Sequence, residues 1–195
     1  MVIFARAPEC EAASKHLPLH RATRLFRSVL RSWVRVAERA NAVAIVAGPV
    51  TQVGNTFGER LANSVESVFS LGYEAVVVTG IDVPPPPALD SIFSLIEAGH
   101  SVVAPAHDGG VNLLGLRSPS RDLLLKFAIG DGKIADRCRA FFSDLVEMPA
   151  ASDIDSIHDL LRCEDRLQPV VISRLKPALT LFLAAAGDTR APPAG

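Results

Sequence analysis

The stretch "AVVVTGIDVPPPP", residues 75–87, joins an apolar run to an isolated carboxylate and then to four prolines. The run at 75–79 predicts a strand buried on both faces, because it is apolar up to its last residue. Asp82 follows the carboxyl end of that strand, and the prolines at 84–87 hold the next segment extended. Gly80 has no side chain, so another group can approach the backbone there. Ligands bind at this edge of open α/β sheets, which makes Asp82 a candidate site residue.

Short apolar runs recur along the chain and alternate with helical patterns. The predicted strands are 2–5, 42–47, 75–79, 101–105, 111–116 and 144–148. The predicted helices are 20–40, 57–71, 87–98, 118–128, 134–142 and 152–162. This alternation predicts an α/β fold of three layers, α/β/α, with a mostly parallel mixed sheet in the middle. We expect a single domain at 1–186 and a flexible tail at 187–195.

The composition excludes several classes of protein. Of the 195 residues, 49% are hydrophobic, which is enough for a core and too many for a disordered chain. Lys and Arg number 20 against 21 Asp and Glu, so the charge does not indicate nucleic-acid or membrane-surface binding and favours a small-molecule partner. Cys10, Cys138 and Cys163 form no CxxC pair, which indicates reduced thiols rather than a zinc site. The sequence shows no signal-peptide pattern and no span of ~20 apolar residues, so we expect a cytoplasmic protein.

Three further polar clusters follow predicted strands and are expected at the same edge of the sheet as Asp82. The first, "ARAPECEAASKH" (5–16), is expected to be a loop. The second, "AHDGG" (106–110), is typical of a hairpin turn, but its glycines also let backbone amides approach a ligand that Asn112 faces. The third, "SDIDSIHD" (152–159), supplies two late aspartates.

A carboxylate held like Asp82 is typical of divalent-cation sites. Mg²⁺ usually takes one or two protein carboxylates and completes its shell with water and phosphate oxygens. Asp153 or Asp155 is the candidate for the second carboxylate. Capping of a turn or helix is the alternative role for all three aspartates. The sequence has no GxxxxGK[ST], GxGxxG or GxSxG motif, so it does not indicate a P-loop, a dinucleotide fingerprint or a nucleophile elbow.

Five segments, taken in order, resemble a family of small bacterial proteins with the glycosyltransferase-A, or nucleotide-diphospho-sugar transferase, fold. They are "VIFARAP" (2–8), "QVGNTFGERLANS" (52–64), "VVVTGIDVP" (76–84), "VVAPAHDGGVNLLGL" (102–116) and "DIDSIHDL" (153–160). The third segment is similar to the family's Gly-x-Asp-x-Pro strand end, and the fourth to its Pro-Ala-x-Asp-Gly-Gly run. That family is related to the guanylyltransferases that act on molybdenum cofactor and on 2-phospho-L-lactate.

The resemblance implies a nucleotidyl- or glycosyltransferase that depends on Mg²⁺ or Mn²⁺ and uses a nucleotide or nucleotide-sugar and a small-molecule acceptor. It implies a metal at Asp82, Asp153 and Asp155. It places the nucleotide near Arg6, Lys15, Gly54, Gly58, Arg60 and Gly80, and the acceptor near Asp108, Gly109, Gly110 and Asn112. From the charge balance and the short apolar stretches we expect no nucleic-acid partner and no membrane span, and a homodimer is left open.

The first loop departs from the family pattern. The family usually has Ala-Lys-Ala-Pro-x-x-Gly-x-Val-Lys-Thr-Arg-Leu, whereas this chain has Glu11 in place of the glycine and Ser14 in place of the second lysine. A carboxylate that faces a polyphosphate repels it.

The sequence leaves two alternatives to the transferase. One is a member of the fold that binds a ligand or a partner without turnover. The other is an unrelated phosphoryl-transfer enzyme with Asp82 as nucleophile, which needs a basic residue and a hydroxyl nearby, Thr79 being the candidate hydroxyl.

Overall fold

The computed structural model describes residues 1–15, 17, 19–86, 88–156 and 159. Within them, the strands are β1 (Val2–Phe4), β2 (Ile45–Ala47), β3 (Val76–Thr79), β4 (Ser101–Pro105), β5 (Val111–Leu116) and β6 (Leu145–Glu147). The helices are α1 (Pro8–Ser14), α2 (Leu19–Arg39), α3 (Phe57–Ser70), α4 (Leu89–Glu97), α5 (Arg121–Leu124) and α6 (Ile134–Phe141). Every predicted strand is therefore present.

The six strands form one sheet in the order β2-β1-β3-β5-β4-β6. β1 pairs in parallel with β2 and β3, and β4 pairs in parallel with β6. β5 is antiparallel to both of its neighbours, because a hairpin turn at 106–110 returns the chain directly from β4. The mostly parallel mixed sheet predicted from the sequence is confirmed.

Consecutive residues of the central strands point to opposite faces of the sheet and enter two separate apolar cores. In β3, Val77 packs into the core beneath α1, α2 and α4, whereas Val76 and Val78 pack into the core beneath α3, α5 and α6. Each core contains large side chains that are fully buried, such as Trp33 in the first and Leu124 in the second. The three-layer arrangement is thus confirmed, with helices on both faces of the sheet.

Helix α2 forms because its apolar residues recur every three or four positions and make one buried stripe, which includes Leu25, Phe26, Val29, Trp33 and Val36. The indole nitrogen Nε1 of Trp33 also donates a buried hydrogen bond of 2.7 Å to the backbone oxygen of Val83. This bond holds the chain immediately after Asp82. Helix α2 therefore helps to position the carboxylate that follows the end of β3.

Residues 8–14, which the sequence analysis treats as part of a loop, form helix α1. Pro8 lies in the first turn, where a backbone N–H has no partner within the helix. Glu9 and Glu11 also lie in that turn, where the positive end of the helix dipole favours carboxylates. The loop prediction was wrong because a helix of only seven residues is too short for hydrophobic periodicity to reveal, and only these signals at its start indicate it.

The other differences concern the ends of elements. The helix predicted at 118–128 shortens to α5, because the chain after it tightens into i→i+3 bonds such as the one from Phe127 N–H to the oxygen of Leu124. Residues 152–156 are not helical. The rest of the helix predicted at 152–162, the domain end at 186 and the tail at 187–195 lie outside the described residues, apart from position 159.

In the described part of the chain, no helix combines the length and the apolar character that crossing a bilayer requires.

Candidate functional site

A crevice of about 530 Å³ opens at one edge of the sheet. It lies where β1, β3 and β4 end and where the antiparallel β5 begins, which is the edge at which α/β sheets bind ligands. Its volume falls within the range of roughly 300 to 1,000 Å³ that is common for small-molecule sites. The crevice is therefore the candidate functional site.

Most of the residues predicted for the site line this crevice. They are Arg6, Lys15, Arg60 and Gly80 from the expected nucleotide side, Asp108, Gly110 and Asn112 from the expected acceptor side, and the aspartates Asp82, Asp153 and Asp155. The structure thus brings together side chains from the first and last parts of the described chain. Their roles toward a ligand stay predictions.

Gly54, Gly58 and Gly109 do not line the crevice. Gly54 lies in the turn before α3. A Cβ at Gly58 would lie 2.6 Å from the backbone oxygen of Leu124, so this glycine lets α3 pack closely against α5. Gly109 has a φ of +88°, and a Cβ there would lie 2.0 Å from the backbone oxygen of Gly132. In this structure the three glycines serve turns and close packing.

Four carboxylates converge on the ammonium group of Lys15, and we call this group the Lys15 cluster. Nζ of Lys15 lies 2.9 Å from Oδ2 of Asp82 and 3.8 Å from Oδ2 of Asp153, and it also contacts Oδ1 of Asp155. The fourth carboxylate belongs to Glu11, one helical turn earlier, with Oε1 at 3.7 Å. Lys15, which the family resemblance places near the nucleotide, thus points at the predicted metal ligands.

Gly80 allows the carboxylate of Asp82 to take its place in the cluster. A Cβ on Gly80 would lie 2.4 Å from Oδ1 of Asp82, so a side chain there would displace the carboxylate. Helix α4 is capped at Ala88 rather than at Asp82. Asp82 therefore does not serve as the helix cap considered in the sequence analysis, and its Oδ2 accepts a hydrogen bond from Lys15 instead.

The late aspartates reach the cluster because the residue between them is part of the core. Ile154 is fully buried, and its N–H donates a 2.8 Å hydrogen bond to the backbone oxygen of Asp82. Asn112 holds the same segment through a 2.7 Å bond from Nδ2 to the backbone oxygen of Ala151. Neighbouring side chains in an extended chain point in opposite directions, so the aspartates on either side of Ile154 face the crevice.

The cluster contains more negative than positive charge, which affects the pKa values of its members. Burial lowers the pKa of Lys15, but the nearby charges of Asp82 and Asp155 outweigh this, so the pKa is raised and the ammonium stays protonated. Burial, followed by repulsion from Asp155 and Asp82, raises the pKa of Asp153 to about 6. Burial and the charge of Asp82 also raise the pKa of Glu11. Two of the four carboxylates thus hold protons more tightly than usual.

The arrangement does not fit a metal ion. In the described part of the chain, no group of three or more His, Cys, Asp and Glu side chains is placed to hold one. The ammonium of Lys15 lies where the carboxylates of Asp82, Asp153 and Asp155 meet. The Mg²⁺ or Mn²⁺ expected from the sequence stays a prediction, and we derive no chemical step that depends on it.

The opposite side of the crevice, which we call the α3 wall, is formed by Phe4, Gln52, Phe57 and Arg60. Nε2 of Gln52 donates to two backbone carbonyls at the ends of β1 and β2, at 2.9 and 2.8 Å. The rings of Phe4 and Phe57 meet edge to face with their centroids 5.5 Å apart. The α3 wall thus combines an apolar surface with one guanidinium group and has no carboxylate.

Sequence reasoning missed several residues that line the crevice. Glu11 was noticed only as a departure from the family pattern, and Gln52 only as part of a matching segment. Phe4 and Phe57 gave no signal, because an aromatic residue at the end of a strand or the start of a helix looks like a core residue in the sequence. Their position on a cavity wall follows from the packing of α3 against the sheet.

Comparisons with known proteins agree with this fold. The model of a family described as "Uncharacterized protein conserved in bacteria (DUF2064)" matches residues 24–131. A solved structure described as a "putative nucleotide-diphospho-sugar transferase" from Desulfovibrio desulfuricans G20 is similar, with a TM-score of 0.75 and 19% identity. The similarity covers 93% of this chain and 96% of that chain. No curated protein matches. At this identity the likeness shows the fold alone, and it confirms the predicted nucleotide-diphospho-sugar transferase fold.

Proposed function

The chain belongs to the bacterial DUF2064 family, and from that premise we propose that it is a transferase that binds a nucleotide or nucleotide-sugar. The acceptor would be a small molecule. The proposal is carried by one observation, the crevice at the carboxyl edge of a nucleotide-diphospho-sugar transferase-like sheet, where two arginines and several polar side chains converge.

The nucleotide side of the proposal rests on Arg6 and Arg60, which line the crevice. Guanidinium groups keep their charge and pair with phosphate oxygens through two parallel hydrogen bonds. The edge-to-face rings of Phe4 and Phe57 offer an apolar surface on which a base or ribose would pack. A diphosphate held by the arginines would place the attached sugar or nucleotidyl group toward the middle of the crevice.

The acceptor side rests on the hairpin turn between β4 and β5. Oδ1 of Asp108 accepts a 2.9 Å hydrogen bond from Gly110 N–H, which holds this carboxylate at the crevice. Asn112, the second residue of β5, also lines the crevice. In nucleotidyl transfer, an acceptor oxygen held here would bond to the phosphorus as the P–O bond to pyrophosphate breaks. In glycosyl transfer, it would bond to the sugar carbon as the C–O bond to the nucleoside diphosphate breaks. In each case the leaving group takes the bonding electrons, and an acceptor hydroxyl gives its proton to water. The two arginines would offset the charge on that leaving group.

Thermal melts with nucleotides test the proposal. Wild-type protein is melted with GTP, CTP, UTP, ATP and common nucleotide-sugars, each with Mg²⁺ and separately with EDTA. A ligand present at about 100 times its Kd adds roughly 2.7 kcal/mol of stability, which gives a clear rise in Tm. Arg60→Ala should lose that rise, whereas Arg31→Ala on the exposed side of α2 should keep it. A protein that no nucleotide or nucleotide-sugar stabilises would contradict the proposal.

Binding without turnover is the second candidate function. It is favoured by the Lys15 cluster, because Lys15 is engaged by carboxylates and the buried Glu11 adds negative charge beside it. A nucleotide-sugar that raises Tm but is never hydrolysed or transferred, as followed by phosphorus NMR with a panel of small acceptors, would favour this function. Release of nucleoside diphosphate or pyrophosphate would favour the transferase.

The geometry supports a phosphoryl-transfer enzyme with Asp82 as nucleophile less well than it supports the two candidate functions above. Lys15 supplies the basic residue that this chemistry needs. The hydroxyl of Thr79, however, is buried and donates a 3.0 Å hydrogen bond to the backbone oxygen of Asn112. It is therefore already engaged with the backbone of the neighbouring strand and is not presented to a phosphate.

A further inference from the structure

We propose that the ammonium of Lys15 takes the place of the divalent cation implied by the sequence resemblance. In the free protein, Asp82, Asp153 and Asp155 would then form no divalent-metal site. The proposal refines the proposed function, since it concerns the cation of the same crevice, but its test requires no nucleotide.

The positions of the carboxylates are the first reason. Asp82 comes from the end of β3, and the other two aspartates come from a segment about 70 residues later, yet all three lie within 4 Å of one nitrogen atom. A Mg²⁺ ion would need these same oxygens at about 2.0 to 2.1 Å in near-octahedral geometry. The ammonium and a shared metal ion would therefore compete for one position.

The way Lys15 is held is the second reason. Its side chain is 14% exposed, and its backbone N–H donates to the oxygen of Glu11, which closes the last turn of α1. Helix α1 in turn packs against α2, and both helices contribute buried residues to the first core. The ammonium is thus delivered from a packed helix end rather than from a surface loop.

The charges around the ammonium are the third reason. Asp82, Asp155 and Glu11 surround the ammonium group of Lys15, which carries the positive charge that lysine ordinarily has at neutral pH. A divalent ion entering beside this fixed positive charge would be repelled at a distance of about 4 Å, and the repulsion is strong where water is partly excluded. Removing the lysine charge should therefore create an affinity for divalent ions that the wild type lacks.

Manganese titration tests the proposal. Mn²⁺ alone is titrated into wild type and Lys15→Met, with binding followed by calorimetry and by the loss of the free-ion EPR signal. Wild type should show no saturable one-to-one site. Lys15→Met should bind one Mn²⁺ at least about tenfold more tightly than wild type. Adding Asp82→Asn to Lys15→Met should abolish that site, and Lys126→Met, which removes an exposed lysine outside the crevice, should behave as wild type.

Two results of this titration on folded proteins would overturn the proposal. One is saturable Mn²⁺ binding by wild type that Asp82→Asn removes, and this result does not depend on any lysine variant folding. The other is a folded Lys15→Met that binds Mn²⁺ no better than wild type. If Lys15→Met is unfolded on its own, Mn²⁺ should restore its cooperative melt, and failure to do so also counts against the proposal.

The outcomes separate this inference from the proposed function. Nucleotide binding that requires Mg²⁺ at Asp82 would overturn the inference and leave the transferase standing. The expected Mn²⁺ results, combined with no nucleotide binding at all, would support the role of Lys15 and contradict the transferase.

Discussion

The two walls of the crevice are built in opposite ways. In the α3 wall, the polar side chains bond to the backbone: Thr56 and Glu59 form a capping box at the start of α3, and Gln52 bonds to the carbonyl oxygens of Ala47 and, across 47 residues, of Ala5. In the Lys15 cluster, the lysine meets Asp82 across 67 residues and Asp155 across 140 residues. One wall pairs its polar side chains with backbone atoms, while the other gathers charged side chains from distant parts of the chain.

This difference separates stability from candidate function. Capping and strand-end bonds pair the polar side chains of the α3 wall with the backbone, and none of the residues by which this wall lines the crevice is a carboxylate. The Lys15 cluster holds four carboxylates around one ammonium, which is electrostatically costly and raises two pKa values. Charged groups held in a cleft in this way are characteristic of functional sites. The α3 wall should therefore respond to changes in packing, and the cluster to changes in charge.

Gly58→Ala should have the largest effect, because it breaks the packing behind the α3 wall. The added Cβ would lie 2.6 and 2.7 Å from the backbone oxygens of Leu124 and Leu125, so α3 and α5 must separate. We expect a loss of about 3 kcal/mol in the free energy of unfolding, measured in urea. Gly48→Ala is the control, because a Cβ there meets no atom within 4 Å. Equal stability of the two variants would show that the α3–α5 contact is loose.

Lys15→Met should have the next largest effect, because it removes the cation from the cluster and leaves four carboxylates without it. We expect a loss of about 2 kcal/mol at neutral pH by urea denaturation, since the hydrogen bonds to charged groups are lost and the repulsion remains. Arg121→Met removes the more exposed ion pair with Glu66 on the outside of α3 and should cost less than about 1 kcal/mol. Losses of the same size would show that the Lys15 cluster stabilises the fold no more than this exposed ion pair does.

Glu11→Gln should have the smallest effect and the opposite sign. Burial and the charge of Asp82 raise the pKa of Glu11 despite the attraction of Lys15 and Arg6, so its ionised form is disfavoured in the folded protein. The variant should gain at most about 1 kcal/mol at neutral pH, the repulsion of two charges 4 Å apart in water.

The pH dependence of this gain follows from linkage. A raised pKa means that the folded protein binds the proton of Glu11 more tightly than the unfolded chain, so wild type loses stability as the pH rises from 4.5 through the raised value. The difference in unfolding free energy between Glu11→Gln and wild type should be absent in acid and appear over that rise. Glu38→Gln, at an exposed position of α2, is the control. A difference that grows toward low pH would show that Glu11 is stabilised by its surroundings instead.

The sheet was predictable because its signals are local. Apolar runs such as 75–79 and 101–105 indicate buried strands, and the hairpin at 106–110 follows from its Asp-Gly-Gly sequence. The same reasoning failed for α1, since seven residues without an apolar stripe are too short for periodicity to reveal. It also extended the helix at 118–128 beyond its single α-helical turn, because the switch to i→i+3 bonds depends on how Leu124 and Phe127 pack.

The amino-acid sequence by itself determined the order of strands and helices and the edge of the sheet at which Asp82 lies, because strand periodicity and strand-end residues act over a few positions. Only the tertiary structure decided what Asp82 faces. Lys15 meets Asp82 and Asp155 because α1 packs on α2 and because Ile154 is buried in the core beside β3. Contacts across 67 and 140 residues depend on the packing of whole layers, and no local pattern in the chain encodes them.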